Sequence, residues 1–260
     1  MIHNPRQEWP MPSYMQAWKA FRQMSDENHE TALHLLSRPS WPTVDKTVIT
    51  DVGCGDGMLV QQVVLHSKSE ISEVRLYDPD REFLAEAERR LTETPCELQI
   101  KASTAFAEDI RSADLRGSHA ILAVHVVYLM QEDGLAALLR ELPIGTPLYI
   151  VLDQPHSVFS RLWRGTAPKY FERSRKTHQL VARLPRDTYG IEQSVITSHL
   201  QNPLVQRRDI RDAVLSILCY ADVQDMEKDD YDSVQKEIAR CTVGSHVLCE
   251  STCYEIVRTC

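Results

Sequence analysis

A doubly wound α/β sheet is the fold this sequence predicts, and three observations predict it. Short apolar runs alternate with amphipathic helical stretches along most of the 260 residues. The run that starts at Val48 ends in Gly53, Gly55 and Gly57, three glycines at two-residue spacing, and a helical pattern follows at once. The next run closes on an acidic residue, Asp78, which lies 21 residues beyond Gly57.

Taken in order, the chain begins with a helical pattern from Tyr14 to Leu36 that carries Trp18 and Phe21 among its apolar positions. The prolines of Arg38-Pro39-Ser40-Trp41-Pro42 end it. Residues 1–42 therefore read as an N-terminal helical lid, ahead of a sheet domain over 43–260. Strands fit Thr47 to Asp51, Glu73 to Tyr77, Glu97 to Lys101, Ala120 to His125 and Leu148 to Asp153. Helices fit Leu59 to Ser67, Asp80 to Leu91 and Glu132 to Leu142. Two later strands, Gln193 to Leu200 and Cys253 to Arg258, complete a seven-stranded, mostly parallel sheet with helices on both faces. Between them, Arg208 to Tyr220 and Tyr231 to Arg240 read as a helical insert around 201–245.

Composition narrows the function. At 43% hydrophobic and 25% charged the chain falls in the globular range, long enough for one large domain with an accessory subdomain. A net charge of −8 without a basic stripe argues against a nucleic acid partner. The nearly apolar stretch from His119 to Met130 is too short for a membrane span, and no charged segment with a hydrophobic core opens the chain, so a cytoplasmic protein with no membrane partner is expected. Seven cysteines without a Cys-x-x-Cys pair suggest reduced thiols and no metal, and Cys54 reads as a small filler residue. The oligomeric state is not legible.

The glycine loop carries the chemistry. Glycines at this spacing let the backbone turn sharply beside a ligand, and the N–H groups of the helix behind them face the same crevice. An acidic residue at the end of the next parallel strand is placed to accept hydrogen bonds from ribose hydroxyls. The third glycine comes one residue too early for the dinucleotide fingerprint. With Asp51 ahead of Gly53, Gly55 and Gly57, the segment resembles motif I of the class I S-adenosylmethionine-dependent methyltransferases, a Rossmann-like fold. That resemblance implies S-adenosylmethionine as cofactor, held by the loop, Asp78 and Pro79, by Val124 and His125 after the fourth strand, and by Ser103 or Thr104 at the adenine end.

Tyr14, Phe21 and Ser25-Asp26-Glu27, then Tyr77-Asp78-Pro79, His125-Val126-Val127-Tyr128 and Leu162-Trp163, are similar to histamine N-methyltransferase and its relatives. The resemblance runs thinly along most of the chain. It implies methyl transfer to a small amine or related metabolite, with Glu27 on the substrate ammonium and Tyr14, Trp18, Tyr128, Phe159, Trp163 and Ser251 around the acceptor. The chain departs from the family at His125, Leu129 and Ser251, where the family has glutamine, tyrosine and asparagine. His125 is the candidate base, since an imidazole titrates near neutrality; Glu27 and Tyr128 complete the catalytic set.

Each assignment has a plainer reading beside it. His125 can be a core histidine, Glu27 a solvated helix residue, and Trp18, Phe21 and Trp163 packing groups. Two other functions also stay open. Attack of the cofactor's own amine on its Cγ would form azetidine-2-carboxylate and release methylthioadenosine, and a non-catalytic binding module would keep the sheet without the reaction.

Overall fold

A computed structural model describes residues 11–131, 133–221 and 223–260, without the side chains at positions 11–15 and 224. The predicted helix start at Glu132 and the side chain of Tyr14 therefore lie outside the described residues. The chain divides into two compact units. The larger takes residues 28–152, 177–196 and 252–260, and the smaller takes residues 11–27, 153–176 and 197–251.

The larger unit holds the parallel strands. β1 (Thr47–Val52) pairs in parallel with β2 (Ile71–Asp78) and with β4 (Ala120–Val124), β2 with β3 (Gln99–Thr104), and β4 with β5 (Pro147–Asp153). The full sheet has the order β3-β2-β1-β4-β5-β8-β6, with β6 spanning Tyr189–Gln201 and β8 His246–Arg258. A two-residue strand, β7 (Thr242–Val243), pairs with β8 off this path, so seven strands lie in line and an eighth is appended. The last strand enters antiparallel: Gly145 donates its N–H to Arg258 and Gln154 to Glu250, so β8 runs against β5.

Both faces of the sheet are covered, as its sequence requires. Ala120, Leu122, Tyr149 and Val151 pack in one cluster with α2 (Glu27–Leu36), α3 (Met58–His66) and α4 (Arg81–Thr92), and the alternate residues Ile121, Ala123, Leu148 and Ile150 are equally buried. Uninterrupted apolar runs of this kind suit a strand with protein on either side. Asp80 caps α4, its Oδ1 accepting from the Glu82 and Phe83 amides.

Several predicted elements need correction. The helix expected over Tyr14 to Leu36 is two helices, α1 (Met11–Met24) and α2. The break falls at Ser25-Asp26: Ser25 bridges to Leu200, the Asp26 amide donates to the His199 carbonyl, and the Asp26 carboxylate accepts from the His199 amide at 2.6 Å. A pairing with residues so distant in sequence overrides the local helical periodicity. The third strand starts later than Glu97 and continues to Thr104, and the fourth stops at Val124 because His125 adopts a left-handed conformation with φ of 52°. Between α6 (Gly134–Glu141), itself preceded by the one-turn α5 (Ser112–Leu115), and β6, helix α7 (Val158–Thr166) was expected only as a helix start around His156 and Phe159, and α8 (Pro168–Ala182) was not expected. In the smaller unit α9 (Arg208–Cys219) packs against α1 and α7, and α10 (Lys228–Cys241) against α7.

Candidate functional site

The residues proposed for the cofactor fall in the larger unit, at the carboxyl ends of β1, β2, β3 and β4. The order β2-β1-β4 makes β1 and β4 the strands from which the chain winds in opposite directions, and ligands of open α/β sheets bind at that reversal. The glycine loop turns there. The amides of Gly53 and Cys54 both donate to the Tyr77 carbonyl, at 2.7 and 3.1 Å, which folds the loop over the end of β2.

The three glycines share a backbone conformation and differ in surroundings. All have positive φ, of 72°, 55° and 72°. A side-chain carbon on Gly53 would lie 2.2 Å from Val126, and one on Gly57 would lie 2.7 Å from the Cβ of Ala87 on α4. Gly55 is itself buried, yet a carbon added there would meet nothing within 4 Å. Space beside a buried backbone is the shape of a ligand cradle.

Asp78 closes that cradle. Its side chain is fully buried; Oδ2 accepts from the Gly55 amide at 2.9 Å and Oδ1 from the Asp80 amide at 2.9 Å. The carboxylate is thus fixed against the glycine of the loop that faces open space. In register, Thr104 pairs with Asp78 and Ser103 with Tyr77, both exposed, while Pro79 and Val124 are half-buried. Asp51, at the end of β1, is pushed up to about 7 by burial and then by the charge of Asp78.

After β4 the His125 amide donates to the Val151 carbonyl at 2.8 Å. Its ring centroid lies 6.4 Å from that of Tyr128, which is 3% exposed. Arg90 on α4 was not singled out from the sequence, and it holds the loop from behind. Its Nε donates to the Asp56 carbonyl at 3.0 Å, and it pairs with the Asp56 carboxylate at 3.3 Å.

Of the residues proposed for the acceptor, Trp18, Glu27, Phe159, Trp163 and Ser251 fall in the smaller unit and Tyr128 in the larger. An aromatic series runs through the smaller unit: Trp18, Phe21, Phe159, Trp163, Tyr220 and Tyr170, with successive ring centroids 6.0, 6.2, 6.1, 5.3 and 4.8 Å apart. Trp163 is enclosed, and its Nε1 donates to the Leu218 carbonyl at 2.9 Å. Phe159 and Ser251 are also buried. Glu27 is buried and forms an ion pair with Arg22 at 3.3 Å, and the Arg22 guanidinium lies over the Trp18 ring at 4.1 Å. Arg22 carried no sequence signal, because an arginine on an amphipathic helix reads as a solvent-facing residue. Among the described residues no group of His, Cys, Asp and Glu forms a metal site, and all seven cysteines are free.

No protein-family model and no curated protein sequence matches the chain. Solved structures do. A Bacillus halodurans C-125 protein described as a methyltransferase superposes with a TM-score of 0.57 at 10% identity, over 89% of this chain and 98% of its own. The plantazolicin methyltransferase BpumL, in complex with S-adenosylhomocysteine, gives 0.56 at 13% identity over 98% and 94%. A Geobacter sulfurreducens S-adenosylmethionine-dependent methyltransferase, in complex with the same product, gives 0.50 at 15% over 89% and 91%. The chain has the Rossmann-like fold of the class I methyltransferases.

Proposed function

We propose that this protein is an S-adenosylmethionine-dependent methyltransferase acting on a small amine or related metabolite. The observation that carries the reading is the Gly55 cradle, a buried glycine facing open space with its amide bonded to the Asp78 carboxylate. The residues suit an adenosyl ligand in type and place: Asp78 ends β2 against the glycine loop, α3 begins directly after that loop, and Thr104 lies in register with Asp78. Neighbours of the same fold are named as methyltransferases and hold S-adenosylhomocysteine, which supports the same cofactor here. The small-amine acceptor rests on the histamine N-methyltransferase resemblance.

When bound, the cofactor supplies a methyl group on a sulfonium that is already a good leaving group. What remains for the chain is alignment and proton handling. Alignment is worth about 7 to 11 kcal/mol of barrier, against 10² to 10⁴-fold in rate for a positioned base. In the larger unit Asp78 fixes the nucleoside and the His125 imidazole, with Tyr128 beside it, accepts a proton; in the smaller unit Glu27 and the Trp18 and Phe159 rings suit an ammonium group.

Calorimetry with S-adenosylhomocysteine is the first test. Wild type binds, and Asp78→Ala binds at least about tenfold more weakly with its melting transition retained. Equal binding by the variant would remove the ribose assignment. Mass spectrometry after incubation with S-adenosylmethionine then decides the reaction. Acceptor-dependent S-adenosylhomocysteine supports methyl transfer, whereas methylthioadenosine formed from cofactor alone would replace it with cyclisation, which no neighbour supports. No binding at all would leave a non-catalytic module.

A further inference from the structure

We propose that Arg22 and Glu27 together receive the zwitterionic head of an α-amino acid, the guanidinium taking its carboxylate and Glu27 its ammonium. The proposal deepens the transferase reading and rests on it for the presence of a small-molecule ligand. Arginine offers five N–H donors in a planar fork suited to a carboxylate. Here one bond from that fork reaches Glu27, at 3.3 Å from Nη1, and the buried Nε has no hydrogen-bond partner. The two side chains are 12% and 9% exposed, so water satisfies little of the remainder. Trp18 beneath the guanidinium, at 4.1 Å, and Phe21 at 5.9 Å fix its plane.

The local charge selects the ligand. The Cys249 thiol is pushed well above its usual range by burial, and then by the charges of Glu27, Asp153 and Asp26. A plain acid would meet the Glu27 carboxylate, and a plain amine would meet the guanidinium and leave Nε unanswered. Adjacent opposite charges on one small molecule answer both groups at once. Histamine lacks a carboxylate, so this ligand differs from the one the sequence resemblance implies.

An amino-acid ligand presents that head, and the test separates it from the methionyl end of the cofactor. Wild type, Arg22→Gln and Arg22→Lys are titrated with S-adenosylhomocysteine, with its decarboxylated analogue and with methylthioadenosine. The proteinogenic amino acids are then titrated in the presence of S-adenosylhomocysteine. If Arg22→Gln loses at least about tenfold in affinity for S-adenosylhomocysteine while amino acids bind it as they bind wild type, the proposal is overturned. If an amino-acid ligand supplies the head, S-adenosylhomocysteine binds equally and an amino acid loses at least about tenfold. Methylthioadenosine binding reports an intact fold in either arm. Neither arm responding overturns the proposal while leaving the transferase reading in place. A wild type that binds no adenosyl compound overturns that reading instead, and the amino-acid titrations then decide Arg22 alone.

Discussion

Asp51 ends a buried strand with a carboxyl group that its surroundings hold partly protonated near neutrality. Burial raises it from 3.8 to about 7, with the charge of Asp78 adding to the effect. Between those two values the folded chain holds a proton that the unfolded chain has released, so stability falls as pH rises through the interval. Above about 7 the loss is complete. Asp51→Asn removes it: the variant gains in melting temperature over wild type at pH 8, and the gain shrinks toward pH 4. A gain that does not vary with pH would refute the raised carboxyl. His125 carries a different strain, a left-handed backbone at a residue with a side-chain branch, costing roughly 1–2 kcal/mol. Asparagine tolerates that conformation and has no titrating ring. His125→Asn is therefore expected to bind S-adenosylhomocysteine normally and to turn over at least about tenfold more slowly, in keeping with a lost base. Full turnover would remove His125 from proton transfer.

At the scale of the element, the glycine loop separates ligand binding from folding. Gly57→Ala places a carbon 2.7 Å from Ala87 Cβ and 2.8 Å from its Cα, in addition to the positive φ, so α3 and α4 must part. Overpacking of this kind costs about 1–3 kcal/mol. Gly55→Ala meets no atom and bears the backbone strain alone. Calorimetric melting should show Gly57→Ala falling further, while titration should show Gly55→Ala losing more affinity for S-adenosylhomocysteine. The reverse order would mean that the cradle is ordinary packing space. This loop was legible in the sequence because strand, turn and helix follow one another within a few residues. The break between α1 and α2 was not, because Ser25 and Asp26 answer to Leu200 and His199. Helix α8 escaped notice as well, since it carries Lys, Glu and Arg on most of its turns and its apolar stripe is narrow.

At the scale of the whole molecule, the mostly parallel sheet was legible and the division into two compact units was not. Alternating strands and helices impose a parallel sheet wherever connections are right-handed crossovers, so β1 to β5 follow from local pattern. The candidate site divides in the same way. Asp51, the glycines and Asp78 were readable as a motif, whereas Arg22 and Arg90 take their importance from partners that folding brings to them. No helix among the described residues is long and apolar enough to cross a membrane.

Each compact unit is assembled from three separate stretches of sequence, and the chain passes back and forth between them. Neither unit can therefore be cut out as a fragment by trimming an end, and no single proteolytic nick releases one whole. Synthesis on the ribosome completes the smaller unit at residue 251, whereas the larger waits for residues 252–260 of the final strand.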